Sequence, residues 1–172
     1  MYEKILILLA LFILTGCTPK LSNLNIELVP QVDTIEVGDT YIDLGVIATY
    51  GPNTLDYDVI FDDLDTVKVG VYERTYQVTY GDLSKTVTRI IHVTDQTPPT
   101  VTLNAGIYTI ILGETWIDES VTVTDQSNLA VTVETTGTVL NEVGTYIITY
   151  KATDVYQNET VVNRIVTVIE QL

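Results

Sequence analysis

The stretch Val143-Gly-Thr-Tyr-Ile-Ile-Thr-Tyr-Lys-Ala-Thr-Asp154 decides the fold. From Thr145 to Thr153, Tyr146, Ile148, Tyr150 and Ala152 fall on one parity, and Thr145, Thr149, Lys151 and Thr153 supply most of the other. A period of two is that of a half-buried β-strand. Similar short runs rich in Val, Ile, Thr and Tyr occur at Ile26 to Val29, Val46 to Tyr50, Tyr57 to Phe61, Tyr72 to Tyr80 and Thr86 to Val93, separated by Gly, Asn and Asp. No ten-residue stretch after Cys17 carries a helical period. Short strands at this spacing predict an all-β protein built as a sandwich.

The chain also repeats. Gly38-Asp-Thr-Tyr-Ile-Asp43 matches Gly113-Glu-Thr-Trp-Ile-Asp118, Val69-Gly-Val-Tyr72 matches Val143-Gly-Thr-Tyr146, and Arg89-Ile-Ile-His-Val93 matches Arg164-Ile-Val-Thr-Val168. Two tandem units are therefore expected, at 25–95 and 96–172. Asp95-Gln-Thr-Pro-Pro99 forms the boundary, because its two prolines end the preceding strand and favour an extended link. The Gly-x-Tyr at Gly70 to Tyr72 and at Gly144 to Tyr146 opens the long penultimate strand of each unit, where immunoglobulin-like sandwiches carry a tyrosine corner. The fold class is thus two tandem immunoglobulin-like β-sandwiches.

The 172 residues are 46% hydrophobic and 18% charged, with 8 Lys+Arg against 23 Asp+Glu and a formal charge of −15. So few cations cannot neutralise a run of phosphates, which excludes nucleic acid as a partner. Abundant Val, Ile, Leu and Tyr exclude disorder.

The N-terminus is a targeting segment, residues 1–16. Lys4 supplies a short basic head, and Ile5 to Leu14 is an unbroken apolar run about half the length of a membrane-spanning helix. Leu14-Thr15-Gly16-Cys17 then resembles the lipobox of bacterial lipoproteins, in which the cysteine thiol is acylated and becomes the mature N-terminus. Cys17 is the only cysteine in the chain and has no internal disulfide partner. The resemblance implies lipidation at Cys17, attachment to the membrane through that lipid, and an exported location at the bacterial cell membrane or surface. Residues 17–24 read as a polar tether, with the fold beginning near Asn25.

The second unit, from Asp95-Gln-Thr-Pro-Pro99 through Leu112-Gly-Glu-Thr-Trp-Ile-Asp118 and Val143 to Asp154, to Asn158 and Arg164-Ile-Val-Thr-Val168, resembles the bacterial immunoglobulin-like module of the DUF5011 type. The first unit is similar but eroded: Gly81-Asp-Leu-Ser84 replaces the family turn, and Arg74 stands on the parity that Ile148 occupies. The resemblance implies a repeated surface module without catalytic activity, acting as a stalk, adhesion or interaction element. A dedicated glycan- or protein-binding lipoprotein is the competing reading.

Catalytic parts are not assembled in the sequence. His92 is the only histidine and alternates away from Ile91 and Val93, so it is expected on the surface. Asp62, Asp63 and Asp65 crowd one short segment, the pattern of solvated turn acids rather than of glycosidase acids set across a cleft. The 11 tyrosines are expected mainly in the core, with Tyr72, Tyr76, Tyr80, Tyr146 and Tyr150 on inward parities.

One cofactor is expected at the junction. In an immunoglobulin-like unit the start of the first strand, the loop after the second and the loop before the last share a pole. Asp95, Asp125, Asn128, Asp154 and Asn158 would meet there and supply the hard oxygen ligands of calcium. Turn capping by the same Asp and Asn side chains is the competing reading. For the N-terminus the expected outcome is direct. Cys17→Ser leaves the precursor uncleaved or releases the protein from the membrane, as read by fractionation and acyl labelling, and unchanged processing and attachment would contradict acylation at Cys17.

Overall fold

The computed structural model describes residues 18–171; the targeting segment and Cys17 lie outside them. Apart from one 3-10 turn over Leu21–Asn23, the regular elements are strands. The first unit holds β1 (Leu24–Leu28), β2 (Thr34–Glu36), β3 (Val46–Tyr50), β4 (Asn53–Thr54), β5 (Asp58–Asp62), β6 (Gly70–Tyr80) and β7 (Leu83–Thr94). The second holds β8 (Thr100–Leu103), β9 (Thr109–Ile111), β10 (Val121–Thr124), β11 (Thr132–Thr136), β12 (Gly144–Thr153) and β13 (Glu159–Ile169). Each unit has two sheets, ordered β1-β3-β4 and β2-β7-β6-β5 in the first, β10-β8 and β11-β12-β13-β9 in the second. Both place a short strand parallel to the last one, β2 on β7 and β9 on β13, while the remaining pairs are antiparallel. The chain therefore crosses from one sheet to the other between β1 and β2, and again between β8 and β9. These are the two tandem immunoglobulin-like sandwiches read from the strand pattern.

The alternation is kept. Ile148, Tyr150 and Ala152 of β12 are buried, as are Val166 and Val168 of β13. In the first unit Leu24, Ile26, Val46, Ala48, Tyr76 and Val78 form the core, so its sequence erosion has not emptied it. Two expectations are corrected. The fold begins before Asn25, because Leu24 opens β1 and is fully buried. Tyr80 leaves the core: it is 38% exposed at the strand end and stacks on Tyr50 with centroids 3.9 Å apart.

Each core also contains a buried arginine. Arg89 and Arg164 are both 1% exposed. Arg89 on β7 reaches across the sandwich, and its Nη2 donates to the carbonyls of Val29 at 2.9 Å and Gly45 at 2.8 Å. Arg164 on β13 does the same, its Nη2 donating to Asn104 and Ser120 carbonyls at 2.9 Å each. These carbonyls sit where β1 ends and β3 begins, and where β8 ends and β10 begins, at the crossing between sheets. The Gly45 and Ser120 carbonyls also accept the Val29 and Asn104 N–H groups at 3.0 and 3.2 Å, the last rungs of the ladder. The Val29 and Asn104 carbonyls accept no backbone N–H among the described residues, and an unpaired buried carbonyl costs about 1–3 kcal/mol. The guanidinium, with several donors in one fork, satisfies two at once.

A tyrosine and an aspartate complete the network. Tyr76 Oη donates to Asp43 Oδ2 at 2.7 Å, and Asp43 Oδ1 lies 3.4 Å from Arg89 Nε. In the second unit Tyr150 donates to Asp118, and Arg164 Nε donates to Tyr150 Oη at 3.2 Å. Burial alone would raise the Asp43 carboxyl, but hydrogen bonds from Tyr76, the Gly45 N–H and Arg74 hold it below its usual value. Separately, Tyr72 and Tyr146 form the expected local corner, their hydroxyls donating to the Lys68 and Glu142 carbonyls at 2.7 and 2.8 Å.

The two kinds of tyrosine differ in consequence. Tyr150→Phe strips a donor from Asp118 and a partner from buried Arg164, for an expected loss of about 1–3 kcal/mol. Tyr146→Phe frees a solvent-exposed bond and is expected to cost less, nearer 0.5 kcal/mol. Urea unfolding of the two variants should give that order, and the reverse order would contradict it.

Candidate functional site

The expected acidic pole exists, with fewer members than expected. Asp95 follows β7, Asp125 follows β10 and Asp154 follows β12. One carboxylate oxygen from each lies within 4.8 Å of the other two. Asp95 is 6% and Asp154 4% exposed. None of the three takes part in a salt bridge among the described residues.

Their hydrogen bonds show which oxygens remain. Asp154 is the most committed: Oδ1 accepts the N–H groups of Tyr156 and Asn158 at 2.8 Å each, and Oδ2 accepts Asn158 Nδ2 at 2.8 Å. Asp125 Oδ1 accepts the Ser127 N–H at 2.9 Å, and Asp95 Oδ1 accepts the Thr97 N–H at 3.3 Å. Asp95 Oδ2 and Asp125 Oδ2 are buried and have no hydrogen-bond partner. Burial, then the neighbouring Asp125 and Asp154 charges, push the Asp95 carboxyl up, against the pull of Ser127 and the Thr97 N–H.

The two asparagines are placed differently from expectation. Asn158 turns its amide nitrogen toward the cluster, donating to Asp154 Oδ2 and, at 3.2 Å, to the Asp95 carbonyl, so it braces the acids and presents a donor to them. Asn128 is exposed, with φ +57, and its Nδ2 donates to the Gln126 carbonyl. It is a turn residue outside the cluster. Three acids and one brace thus replace five oxygen ligands.

The loop that carries Asp125 also meets the first unit. Gln126 Nε2 donates to the Val37 carbonyl at 2.6 Å, and Glu36 Oε1 accepts the N–H groups of Gln96 and Thr97 at 2.7 and 2.9 Å. The acids therefore sit beside the contacts that join the two units. The sequence contained no signal for Gln126 or Glu36 as joint residues, since neither belongs to the repeat.

The former catalytic candidates are dispersed. His92 is exposed, as expected. Asp62 pairs with Arg74, Asp63 Oδ1 accepts the Glu73 N–H, and Asp65 Oδ1 accepts the Val67 N–H, which is turn and edge chemistry.

A second feature was not anticipated. A cleft of about 420 Å³ opens in the second unit, lined by Trp116, Asp118, Gly137, Asn141, Ile110 and Ile148 among others. Trp116 is fixed at its edge, Nε1 donating to the Ile107 carbonyl at 2.9 Å.

A family model described as bacterial surface protein, Ig-like domain, matches residues 30–93 and again 102–168. The chain belongs to that family. No curated protein matches it. Each matched span falls within one sandwich, leaving out β1 and the start of β8, and Asp95 lies in the interval between them. Membership points to an extracellular or surface location, and no helix among the described residues is long and apolar enough to cross a membrane.

The two bacterial surface Ig-like domains differ in charge at an inward position of their long penultimate strands. Arg74 of β6 pairs with Asp43 at 3.0 Å and Asp62 at 2.6 Å, where the same strand position in the second domain is Ile148. Asp62, and less strongly Asp43, hold the Arg74 guanidinium above its ordinary basicity.

Proposed function

We propose that the chain is a lipid-anchored, non-catalytic surface spacer, attached through acylated Cys17, whose two immunoglobulin-like domains are held at their junction by calcium. The observation that carries the reading is the placement of Asp95, Asp125 and Asp154 beside the Gln126–Val37 contact, with two buried carboxylate oxygens lacking any partner. A spacer has to present whatever lies beyond it in a defined direction. A flexible link does this poorly, and a link cross-braced at its own aspartate does it well. The finer family assignment to the DUF5011 type is part of the same proposal, supported by the motif set Gly-x-x-aromatic-x-Asp, Gly-Thr-Tyr and closing Arg.

Calcium suits the site chemically. It takes six to eight oxygen ligands in flexible geometry, including carboxylates and waters, and sites of this kind in extracellular modules bind with Kd about 10⁻⁴–10⁻³ M. Asp95, Asp125 and Asp154 supply three of those ligands, and water fills the rest.

The electrostatics give the test its sign. Because the Asp95 carboxyl is held above its ordinary value, its ionised form costs the folded state stability at neutral pH. Protonation, a neutral isostere or a bound cation each remove that cost. With a chelator, Asp95→Asn is therefore expected to melt above the parent. In millimolar calcium the order reverses, because the parent gains the cation and the variant does not. Calorimetry should show calcium heat for the parent and none for the variant. Absence of binding heat in the parent, or an order that calcium leaves unchanged, would contradict the calcium joint.

A further inference from the structure

We propose that the cleft of the second domain receives an arginine side chain from a partner protein. The first domain fills the corresponding space with a residue of its own. Val69-Gly-Val-Tyr72 aligns with Val143-Gly-Thr-Tyr146, so Arg74 corresponds to Ile148; Gly38-Asp-Thr-Tyr-Ile-Asp43 aligns with Gly113-Glu-Thr-Trp-Ile-Asp118, so Tyr41 corresponds to Trp116 and Asp43 to Asp118. In the first domain the Arg74 guanidinium donates to Asp43 Oδ2 at 3.0 Å and Asp62 Oδ2 at 2.6 Å, with its Cζ 5.9 Å from the Tyr41 ring centroid. Carboxylate and aromatic wall together make a guanidinium seat.

The second domain keeps one carboxylate and the aromatic wall of the seat and removes the occupant. Ile148 is too short and carries no charge, and it lines the floor of the cleft together with Ile110. The Asp62 carboxylate also has no counterpart: β5 pairs Asp62 with Arg74, and continuing the β11–β12 register past Thr136 and Thr149 brings Gly137 opposite Ile148. Gly137 has φ +101, and a Cβ there would lie 2.2 Å from the Ile147 carbonyl, so this wall stays bare and open. Asp118 remains. Its Oδ1 accepts Tyr150 Oη and, at 2.8 Å, the Ser120 N–H, while its Oδ2 accepts no hydrogen bond among the described residues. Trp116 replaces Tyr41 as the aromatic wall and is the stronger cation–π partner. The volume of about 420 Å³ falls within the range of clefts that bind small groups.

The occupant has to come from another protein. The chain has three arginines, and all are engaged inside their own domain: Arg74 and Arg89 in ion pairs, Arg164 with the Asn104 and Ser120 carbonyls. A second copy of this chain therefore has no arginine to offer. With a formal charge of −15, the chain attracts a cationic partner over long range. The proposal rests neither on acylation nor on calcium.

Trp116 is the only tryptophan and lines the cleft, so its fluorescence and its indole N–H resonance respond to occupancy there. The full chain, purified in mild detergent, is titrated with the capped peptide Gly-Arg-Gly and with its citrulline isostere, which has the same shape without the charge. The arginine peptide should shift both signals saturably, in the millimolar range, and the citrulline peptide should shift neither. Asp118→Asn should abolish the response. Because Asp118 also supports Tyr150 and Arg164, Ile148→Arg serves as the second variant: it refills the seat from within, as Arg74 does in the first domain, and should remove binding while the domain still unfolds cooperatively. Equal responses to both peptides, or binding that survives Ile148→Arg, would overturn the proposal. A neutral oligosaccharide that saturates the Trp116 signal where the arginine peptide does not would also overturn it and assign the cleft to a glycan.

Discussion

Each domain depends on one guanidinium laid across its sandwich. A chain that passes from one sheet to the other leaves a carbonyl behind where the ladder ends: those of Val29 and Asn104 accept no backbone N–H among the described residues, while those of Gly45 and Ser120 accept one each. Arg89 and Arg164 start on the last strand of one sheet and end on carbonyls beside the other, which ties the two layers together at the point where the backbone ladder ends. Burying a charge is costly, and a buried ion pair is often no better than a well-packed apolar substitute. Here the cation does what an apolar side chain cannot, since it bonds the Val29 and Asn104 carbonyls, which have no backbone donor, and adds a second bond to those of Gly45 and Ser120.

The surroundings of the two arginines differ, and the difference shows how each charge is balanced. Arg89 has Asp33 at 3.0 Å and Asp43 at 3.4 Å. Arg164 has only Asp118, at 3.9 Å, and instead lies 5.3 Å from the ring of Tyr108 and 5.9 Å from that of Tyr150. Gly106 leaves room for it, since a Cβ there would come within 2.9 Å of Arg164 Nη1. One domain thus balances its cation with carboxylates, and the other leans on aromatic faces. The same shift from charge to ring recurs beside it, where the self-filled Arg74 seat becomes the open cleft walled by Trp116. These substitutions alter what the second domain exposes while leaving its sheets in place.

Much of the fold was legible because β-alternation is a local signal. The inward parity of Tyr146, Ile148, Tyr150 and Ala152 survives intact in the structure, and the repeat located both domains. The buried arginines were legible in principle, since Arg89 shares the parity of Ile91 and Val93, and Arg164 that of Val166 and Val168. Parity says that a residue faces inward, however, and not which carbonyls await it. The acidic pole was readable because immunoglobulin topology gathers three loops at one end, which brought Asp95, Asp125 and Asp154 together. Side-chain direction is set by turn geometry below that level, so Asn158 turned out to present its donor nitrogen and Asn128 to face solvent. The cleft left one trace in the sequence, the Ile148 that stands where the first unit has Arg74, because it arises from what Ile148 and Gly137 lack. Tyr80 failed for a simpler reason: alternation continues to the end of a strand, whereas the opposing sheet does not.

The account's central claim is tested most directly by Arg164→Met, which keeps the apolar length of the side chain and deletes its donors. Calorimetric unfolding of the full chain should resolve the two domains. Loss of the Asn104 carbonyl's partner, at about 1–3 kcal/mol, and of the bonds to the Ser120 carbonyl and Tyr150 Oη, at about 0.5–1.5 kcal/mol each, is a large part of what a domain of this size has. The prediction is that the second domain's transition falls by well over 10 °C or disappears, since about 1 kcal/mol shifts a domain this small by 4–8 °C, while the first domain's transition stays in place. A variant whose second transition moves by only a few degrees would show that the guanidinium is dispensable, and would contradict the account.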